Sequence, residues 1–294
     1  MTFVIQSIVN GLLIGGVYAL VAMGLNLMFG VMQIVNFAQG EFLMMGMYVA
    51  LGLAGIGVPS ILLGVYWVVI PTVAITALLG MLFFVVMLDR AARFGEGAQI
   101  LLTIGLSIAL QGAAHILEGS GPKLIRTPIY GSALRPGGLT LGTAQVIAFC
   151  VAIAVTLAMA WVVRYTFWGK TVRAVSEDAE AAESLGINPR RVFMVATGVA
   201  VGLAGLAGAL LMPYQYTFPT VGQSFVVIAF LAIVIAGLGN VSGAVLGGLL
   251  LGVVQSLTAS YLSLDFSTAA MYAIFLLVLL FRPQGLLTRT ARTV

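Results

Sequence analysis

Nine apolar runs follow one another along the chain, separated by short polar stretches. They cover residues 3–29, 40–56, 61–88, 98–118, 143–163, 191–212, 224–238, 243–261 and 268–282. A hydrocarbon core about 30 Å thick requires roughly 20 helical residues for one crossing, so runs 40–56 and 224–238 are short. The pattern predicts an all-α polytopic membrane protein, a single transmembrane domain over residues 1–294. Eight or nine transmembrane helices are expected, some of them discontinuous or re-entrant.

The most highly charged stretch, residues 169–191, lies between the fifth run and the sixth. Residues 171–185 are rich in Ala and Glu and contain no Gly or Pro, so they are predicted to form one short helix. Arg173 and Glu177 are spaced for an i,i+4 ion pair, and Gly186 is placed to end the helix. A polar helix between two spans is a surface for a soluble partner, although a solvated linker fits the same pattern.

Charge is scarce in this chain, and its distribution predicts the orientation. Hydrophobic residues make up 61% of the sequence, charged residues 7%, and the mean hydropathy is +1.15. With 169–191 and the C-terminal tail on one side, that side holds every Lys and Arg except Lys123, Arg126 and Arg135. By the positive-inside rule it is the cytoplasm. Nine crossings place the N-terminus outside, and the lack of Lys or Arg before the first run argues against a cleaved signal peptide.

Several amides and one carboxylate interrupt the first two apolar runs. Glu41 is the only charged residue before Asp89, and a charge at the bilayer centre costs about 2.5–3.5 kcal/mol on insertion scales. The segment is therefore either an interfacial loop or a break in the membrane that lines a polar cavity. In the second interpretation, Asn36 and Glu41 hold a gate closed. The candidates for the translocation path are Asn26, Gln33, Asn36, Gln39, Glu41 and, in the Gly-rich stretch 237–248, Asn240.

Glycine spacing predicts where helices pack against each other. Gly198, Gly202, Gly205 and Gly208 recur every three or four residues, which places them on one helix face and allows a close helix contact. Helix packing is also the favoured explanation of the stretch 237–248.

Three polar residues, Gln111, His115 and Glu118, lie near the outer end of the fourth run. They suit either the mouth of a substrate funnel or a locally satisfied cluster at the membrane boundary. The pattern favours the boundary cluster.

Enzymatic chemistry finds little support in the residues. The sequence has no HExxH motif, no pair of intramembrane aspartates and one histidine. A phosphate loop ending at residues 169–171 would require Gly at position 164, where the chain has Arg164. The single cysteine, Cys150, allows no disulfide framework, and the basic residues beside apolar spans are unlike a nucleic-acid footprint. We therefore expect a chain that is not an enzyme, with no metal, no cofactor and no nucleic-acid partner.

Four blocks of sequence together resemble a known family. They are YALVAMGLNLMFGVMQIVNFAQGEFLMMG from Tyr18, GKTVRAVSEDAEAAESLGINPRRV from Gly169, GLGNVSGAVLGG from Gly237 and FRPQGL from Phe281. In order and spacing they resemble the LivH-type permease subunits of branched-chain amino-acid ABC transporters, over nearly the whole chain. The family more often has His at the position of Gln39, so no mechanism based on a titrating imidazole is expected there.

The resemblance implies a multi-pass importer subunit in a bacterial inner membrane, with a cytoplasmic C-terminus. A paralogous permease would complete a heterodimer, two cytosolic ATPases would use ATP and Mg²⁺, and a periplasmic binding protein would deliver a branched-chain amino acid. The polar helix would be the coupling helix, whose acidic residues meet the ATPase while its apolar residues fill a groove there. The implied coupling residues are Arg173, Glu177, Asp178, Glu180, Ala181, Ala182, Glu183, Leu185 and Gly186.

Other functions remain open at this point. Permeases similar to this family also carry urea, short amides and other amino acids. A secondary transporter or channel would need coupling-ion or filter residues at mid-membrane, and the runs offer none that is clearly charged. A structural scaffold would explain the Gly-rich packing but not the resemblance of 169–191 to a coupling helix.

Overall fold

The structure is a computed structural model that describes residues 2–55, 67–124, 132–135, 138–237, 239, 241–282 and 285–286. The helices are α1 (Thr2–Met32), α2 (Gln39–Gly55), α3 (Val69–Phe83), α4 (Asp89–Ala91), α5 (Glu96–Glu118), α6 (Thr143–Tyr165), α7 (Phe167–Glu177), α8 (Ala179–Ser184), α9 (Pro189–Leu211), α10 (Val221–Ala236), α11 (Val241–Tyr261) and α12 (Leu264–Phe281). A π-helical turn (Phe84–Leu88) joins α3 to α4, and a 3-10 turn (Ala92–Phe94) follows α4. Two short strands, β1 (Ala133–Leu134) and β2 (Leu141–Gly142), pair antiparallel with Ala133 opposite Gly142.

Six helical segments in the described part of the chain are long and apolar enough to cross a membrane. They are Phe3–Met32, Val69–Phe94, Glu96–Glu118, Thr143–Tyr165, Pro189–Leu211 and Gly243–Tyr261. The runs predicted at 40–56, 224–238 and 268–282 also form helices, as α2, α10 and α12, but these fall outside the set of long spans. The predicted all-α fold is thus confirmed, whereas the count of eight or nine transmembrane helices is not.

The centre of the bundle is formed by α1 and α9. In each of these two helices, 83% of an apolar stretch of 18 residues is buried, against 11% of the corresponding stretch in α5. α1 runs antiparallel to α11, and the two backbones touch where glycine removes the side chain. A Cβ on Gly11 would lie 2.6 Å from the Cα of Val253, and a Cβ on Gly15 would lie 2.9 Å from the Cα of Leu249. Small residues thereby let these helices approach closely, as is typical of membrane helix pairs.

The predicted contact face of α9 is confirmed. A Cβ on Gly198 would lie 2.6 Å from Met81 of α3, and a Cβ on Gly208 would clash with the carbonyl oxygen of Leu43 of α2. α9 therefore holds α2 and α3 against the centre of the bundle.

The single helix predicted over 171–185 is wrong, because the segment breaks at Asp178 into α7 and α8. Asp178 has an extended backbone (φ −155°, ψ 105°), and its Oδ1 accepts hydrogen bonds from the backbone N–H groups of Glu180 and Ala181. A carboxylate that caps a new helix competes with continuation of the preceding one. Gly186 follows α8 with φ +85°, which agrees with its predicted role as the stop signal.

Contacts at the ends of the helices identify the two ends of the bundle. At one end, Arg190 of α9 forms a 3.0 Å ion pair with Asp89 of α4. We call this the basic end; it also carries α7 and α8. At the opposite end, Lys123 and Thr217 exchange two backbone hydrogen bonds of 2.8 Å. The residues predicted from charge to share a side are thereby brought together.

Candidate functional site

The first turns of α2 and α10 touch inside the bundle. A Cβ on Gly40 would clash with the carbonyl oxygen of Gly222, and a Cβ on Gly222 would clash with that of Gly40. Nε2 of Gln39 donates to the carbonyl oxygen of Ala200 at 2.9 Å, and Ala200 lies at the midpoint of α9. Two helix N-termini therefore meet at about the middle height of the bundle.

A buried carboxylate lies at this meeting point. Glu41 is fully buried, and its Oε1 accepts hydrogen bonds from Nε2 of Gln111 at 2.7 Å and from Oγ of Ser107 at 3.2 Å. Nε2 of Gln223 donates to Oε1 of Gln111 at 3.2 Å. Ser107 lies at the midpoint of α5. We call Glu41, Ser107, Gln111 and Gln223 the mid-bundle cluster; both donors to the carboxylate are neutral.

The second oxygen of this carboxylate has no partner. Oε2 of Glu41 is buried and makes no hydrogen bond within the described residues. Leaving a buried polar atom unsatisfied costs about 1–3 kcal/mol, so a proton, a water molecule or a donor from a ligand or partner would stabilise Oε2. The interfacial-loop interpretation does not fit a fully buried carboxylate at mid-height.

Asn36 and Gln39 form a separate network on the side of α9. Oδ1 of Asn36 accepts from the N–H of Ala38 at 3.0 Å, just before the start of α2, and its Nδ2 donates to Oε1 of Gln39 at 3.3 Å. The structure therefore does not bring Asn36 into contact with Glu41. Any joint action of the two at a gate would pass through the first turn of α2.

The remaining predicted path residues lie apart from both networks. Asn26 is buried in α1, and its Oδ1 accepts from the N–H of Gly239 at 2.9 Å. Gln33 is exposed just after α1 and has a positive φ of 56°. Asn240 lies outside the described residues.

The polar group near the end of α5 divides into two parts. Nδ1 of His115 lies 3.0 Å from Oγ of Ser120, and Glu118 forms a 2.7 Å ion pair with Lys123. These contacts are the locally satisfied boundary cluster that the sequence favours. Gln111 belongs instead to the mid-bundle cluster.

Sequence reasoning did not select Ser107 or Gln223, and it assigned Gln111 to a different group. A signal for part of the cluster was present, because Ser107 and Gln111 are spaced i,i+4 and so share one face of an otherwise apolar helix. Nothing in the sequence places that face against Glu41, which is 66 and 70 residues away from them.

The predicted coupling segment presents its acidic side chains to solvent. Glu177, Asp178, Glu180 and Glu183 are all exposed. Leu185 is 81% exposed although it is apolar. Single exposed apolar side chains are normal on protein surfaces, so the exposure of Leu185 is compatible with the predicted contact to a partner but does not by itself mark a binding surface.

One predicted coupling residue faces inward. Ala182 is only 2% exposed and belongs to a hydrophobic cluster with Val175 of α7 and with Leu27 and Val31 at the end of α1. Its predicted role in filling a groove on an ATPase is therefore wrong, because its side chain is covered by its own chain. Ala181 is exposed, as that role requires.

The predicted ion pair between Arg173 and Glu177 is also wrong. Nη1 of Arg173 donates instead to the carbonyl oxygen of Val163, in the last turn of α6. The last carbonyl groups of a helix have no partner within the helix and attract cationic donors. Arg173 thus fastens α7 to α6.

Comparisons with known proteins describe what the chain resembles. Residues 7–281 match the family model described as "Branched-chain amino acid transport system / permease component". The chain is 32% identical over 294 residues to the high-affinity branched-chain amino acid transport system permease protein BraD of Pseudomonas aeruginosa, covering 97% of this chain and 96% of that protein. It is 31% identical over 298 residues to LivH of Escherichia coli K12, covering 98% and 96% respectively.

A partial similarity extends to a differently named permease. The chain is 31% identical over 129 residues to the high-affinity branched-chain amino acid transport system permease protein LivM of Escherichia coli K12, which is 42% of this chain and 29% of LivM. No solved structure matches the chain significantly.

Proposed function

The chain belongs to the family of permease components of branched-chain amino acid transport systems, and we propose that it is one permease subunit of an ATP-binding-cassette importer for hydrophobic amino acids. One observation carries the proposal. The segment α7–α8 presents exposed acidic side chains and shares a hydrophobic cluster with the end of α1. A few residues after α1, the chain reaches Glu41 of the mid-bundle cluster. The acidic surface suits docking of an ATPase, and the polar cluster suits a path for a polar solute.

A second permease of the same family is the proposed partner in the membrane. The partial similarity to LivM, a permease protein of a branched-chain system by its printed name, supports a paralogue rather than a second copy of this chain. Two cytosolic ATPases, which use ATP and Mg²⁺, and a periplasmic binding protein complete the proposed complex.

The basic end is proposed to face the cytoplasm across a bacterial inner membrane. The Lys and Arg residues outside the segment 119–142 support this orientation by the positive-inside rule. Gly285 packs against Gly237, close to Gly239, which contacts Asn26 near the basic end of α1. These contacts support a cytoplasmic C-terminus.

Docking of the ATPase is proposed at α8. The exposed carboxylates of Glu180 and Glu183 meet basic or polar groups of the ATPase, and the exposed side chains of Ala181 and Leu185 fill an apolar depression there. Charged groups at the rim of an interface steer the partner into the correct orientation, while the apolar contact supplies most of the affinity.

Movement of α8 is proposed to reach the path through α1. Ala182 of α8 and Val175 of α7 belong to one hydrophobic cluster with Leu27 and Val31, so a push on α8 would reach the last turns of α1 through α7 and this cluster. The chain then leads within a few residues to Asn36 and the first turn of α2. A packed hydrophobic contact transmits such a push because it is nearly incompressible.

The mid-bundle cluster is proposed as the element that changes state. α5 is the least buried of the long spans, and it is held at its midpoint by the hydrogen bonds of Ser107 and Gln111 to Glu41. Exchange of these bonds for bonds to solute or water would let α5 separate from α2. Such a two-state contact is what alternating access requires.

A second candidate function is favoured by the position of Glu41. Glu41 is fully buried in the bundle, and its Oε2 has no hydrogen-bond partner among the described residues. A buried carboxylate in a bundle is a typical proton carrier in secondary transporters. Proton-driven transport without an ATPase is therefore the alternative.

Co-purification tests the proposed function. The tagged chain is extracted from its native membrane in a mild detergent, and the proteins that accompany it are identified and quantified. We expect two ATPase copies and one second permease for each copy of this chain. A chain that is purified alone, and that transports amino acids in liposomes without ATP, would support the second candidate instead.

A further inference from the structure

A groove of about 330 Å³ lies between α10, α11 and α12, beside the mid-bundle cluster. Its polar lining consists of Gln223, Ser224, Gln255, Thr268 and Tyr272. Gln223 belongs to both structures, because its side chain lines the groove and donates to Gln111. We call it the α10–α12 groove. Tyr272 is at the midpoint of α12, so the groove reaches the middle height of the bundle.

The polar side chains of this groove are exposed in the isolated chain. The exposed side chains are those of Gln223, Ser224, Thr268 and Tyr272. Gln255 is half-buried and accepts a 2.6 Å hydrogen bond from Tyr18. Polar groups without partners are costly in hydrocarbon. Gln223 donates to Gln111, and the same groove also exposes the polar side chains of Ser224, Thr268 and Tyr272. This face is therefore suited to water, solute or protein rather than to lipid.

Another groove on the same protein provides the contrast. A larger one, of about 510 Å³, is lined by apolar side chains and glycine, among them Leu12, Leu246 and Leu250. Leu246 is 55% exposed there. This lining suits lipid tails, so the two grooves differ in the environment for which their side chains are suited.

We infer that the α10–α12 groove binds the transported solute, an α-amino acid with an aliphatic side chain; this inference rests on the proposed function. The amide and hydroxyl groups offer acceptors for an ammonium group and donors for a carboxylate. The apolar part of the lining consists of Val227, Ile228, Leu231 and Met271. A volume near the lower end of the roughly 300–1,000 Å³ typical of small-molecule sites fits one small zwitterion.

The charge of the groove also fits this solute. None of the described residues that line it is ionised, and a zwitterion has no net charge to be balanced. Neutral hydrogen bonds hold it without the strong attraction of an ion pair, which favours the release that transport requires.

Thiol labelling tests the inference in membrane vesicles that contain the chain with its native partners. Cys150, the single cysteine, is replaced by Ser, and Ser224→Cys or Leu246→Cys is introduced as a matched pair. A charged methanethiosulfonate is the probe. We expect the thiol at position 224 to react about tenfold faster, because a thiol in apolar surroundings does not form the reactive thiolate. Equal rates at the two positions would overturn the inference.

Protection by solutes tests the identity of the ligand. The binding protein is present in this experiment. Leucine at about twice its dissociation constant for the groove should slow labelling at position 224 about threefold, as one-site occupancy requires. Protection by urea in place of leucine, or no protection by leucine, would refute the assignment. ATP-dependent leucine uptake is measured in parallel in vesicles that contain the unmodified chain, because Ser224→Cys changes a residue of the proposed site. Its absence would refute the proposed function, whereas normal uptake without labelling or protection would refute the groove assignment alone.

Discussion

Oε1 of Glu41 accepts a 2.7 Å hydrogen bond from Nε2 of Gln111, although 70 residues separate them in the chain. Gln111 belongs to α5, a helix that is otherwise little buried. A loosely packed span is thus attached near its midpoint to a buried carboxylate.

Loss of the hydrogen bond between α5 and Glu41 should impair transport. Gln111→Leu removes a donor to a buried carboxylate, and a hydrogen bond of this type contributes about 1.5–3 kcal/mol. We expect initial uptake of leucine by vesicles to fall about tenfold or more, since about 1.4 kcal/mol corresponds to a factor of ten. Gln145→Leu, at the start of α6, makes the same replacement outside the cluster and should leave uptake unchanged. Equal rates for the two variants would contradict a role for this bond.

The glycine contact between α9 and α2 should determine stability. Gly208→Ala places a methyl group against the carbonyl oxygen of Leu43, and overpacking of this kind costs about 1–3 kcal/mol. We expect the midpoint of thermal unfolding in detergent to fall by about 5 °C. Gly112→Ala is the control, because a Cβ there meets nothing within 4 Å. It should keep or slightly raise the midpoint; an equal loss in both variants would show that contact geometry is not the cause.

The exposed leucine after α8 should be needed for binding of the ATPase. Leu185→Ser removes an apolar side chain that is 81% exposed, so insertion and folding should be unaffected while the amount of co-purified ATPase decreases several-fold. The control is Leu262→Ser, which makes the same change at a 71% exposed position between α11 and α12. Full ATPase recovery with Leu185→Ser would contradict docking at this position.

The inward packing of α8 should depend on the size of residue 182. Ala182→Leu inserts three carbon atoms into the cluster with Leu27 and Val31, which is expected to displace α8 at a cost of about 1–3 kcal/mol. Limited trypsin digestion should then cleave after Lys170 or Arg173 faster than in the unmodified protein. Ala181→Leu, on the exposed side, should leave the cleavage rate unchanged. If both variants resist trypsin equally well, the proposed transmission from α8 to α1 loses its structural basis.

Local features of this chain were predictable because they depend on neighbours in sequence. The all-α fold, the stop at Gly186 and the contact face of Gly198 and Gly208 all follow from spacing and residue type. The break at Asp178 also had a local signal, since an Asp followed by Ala and Glu residues is a favourable N-cap. The helix propensity of the residues on either side nevertheless predicts a continuous helix, and in the structure the cap at Asp178 prevails over it.

The partners of Glu41 were not predictable in the same way. The carboxylate stands out in an apolar segment, but Ser107 and Gln111 reach it only because α5 packs beside α2, and no pattern in a single sequence specifies that neighbour. The inward orientation of Ala182 has a similar cause. Ala182 is buried in a cluster that α7 and α9 form together with the end of α1, and Leu27 and Val31 of that cluster are more than 150 residues away in the chain.

The energy source of transport tests the central proposal most directly. Uptake of labelled leucine is measured in right-side-out vesicles that contain the assembled complex and its binding protein, with and without internal ATP, and with and without a protonophore. The proposed importer requires ATP, and its uptake persists when the proton gradient is abolished. Uptake that proceeds without ATP and disappears with the protonophore would contradict the proposal and identify Glu41 as the candidate proton carrier.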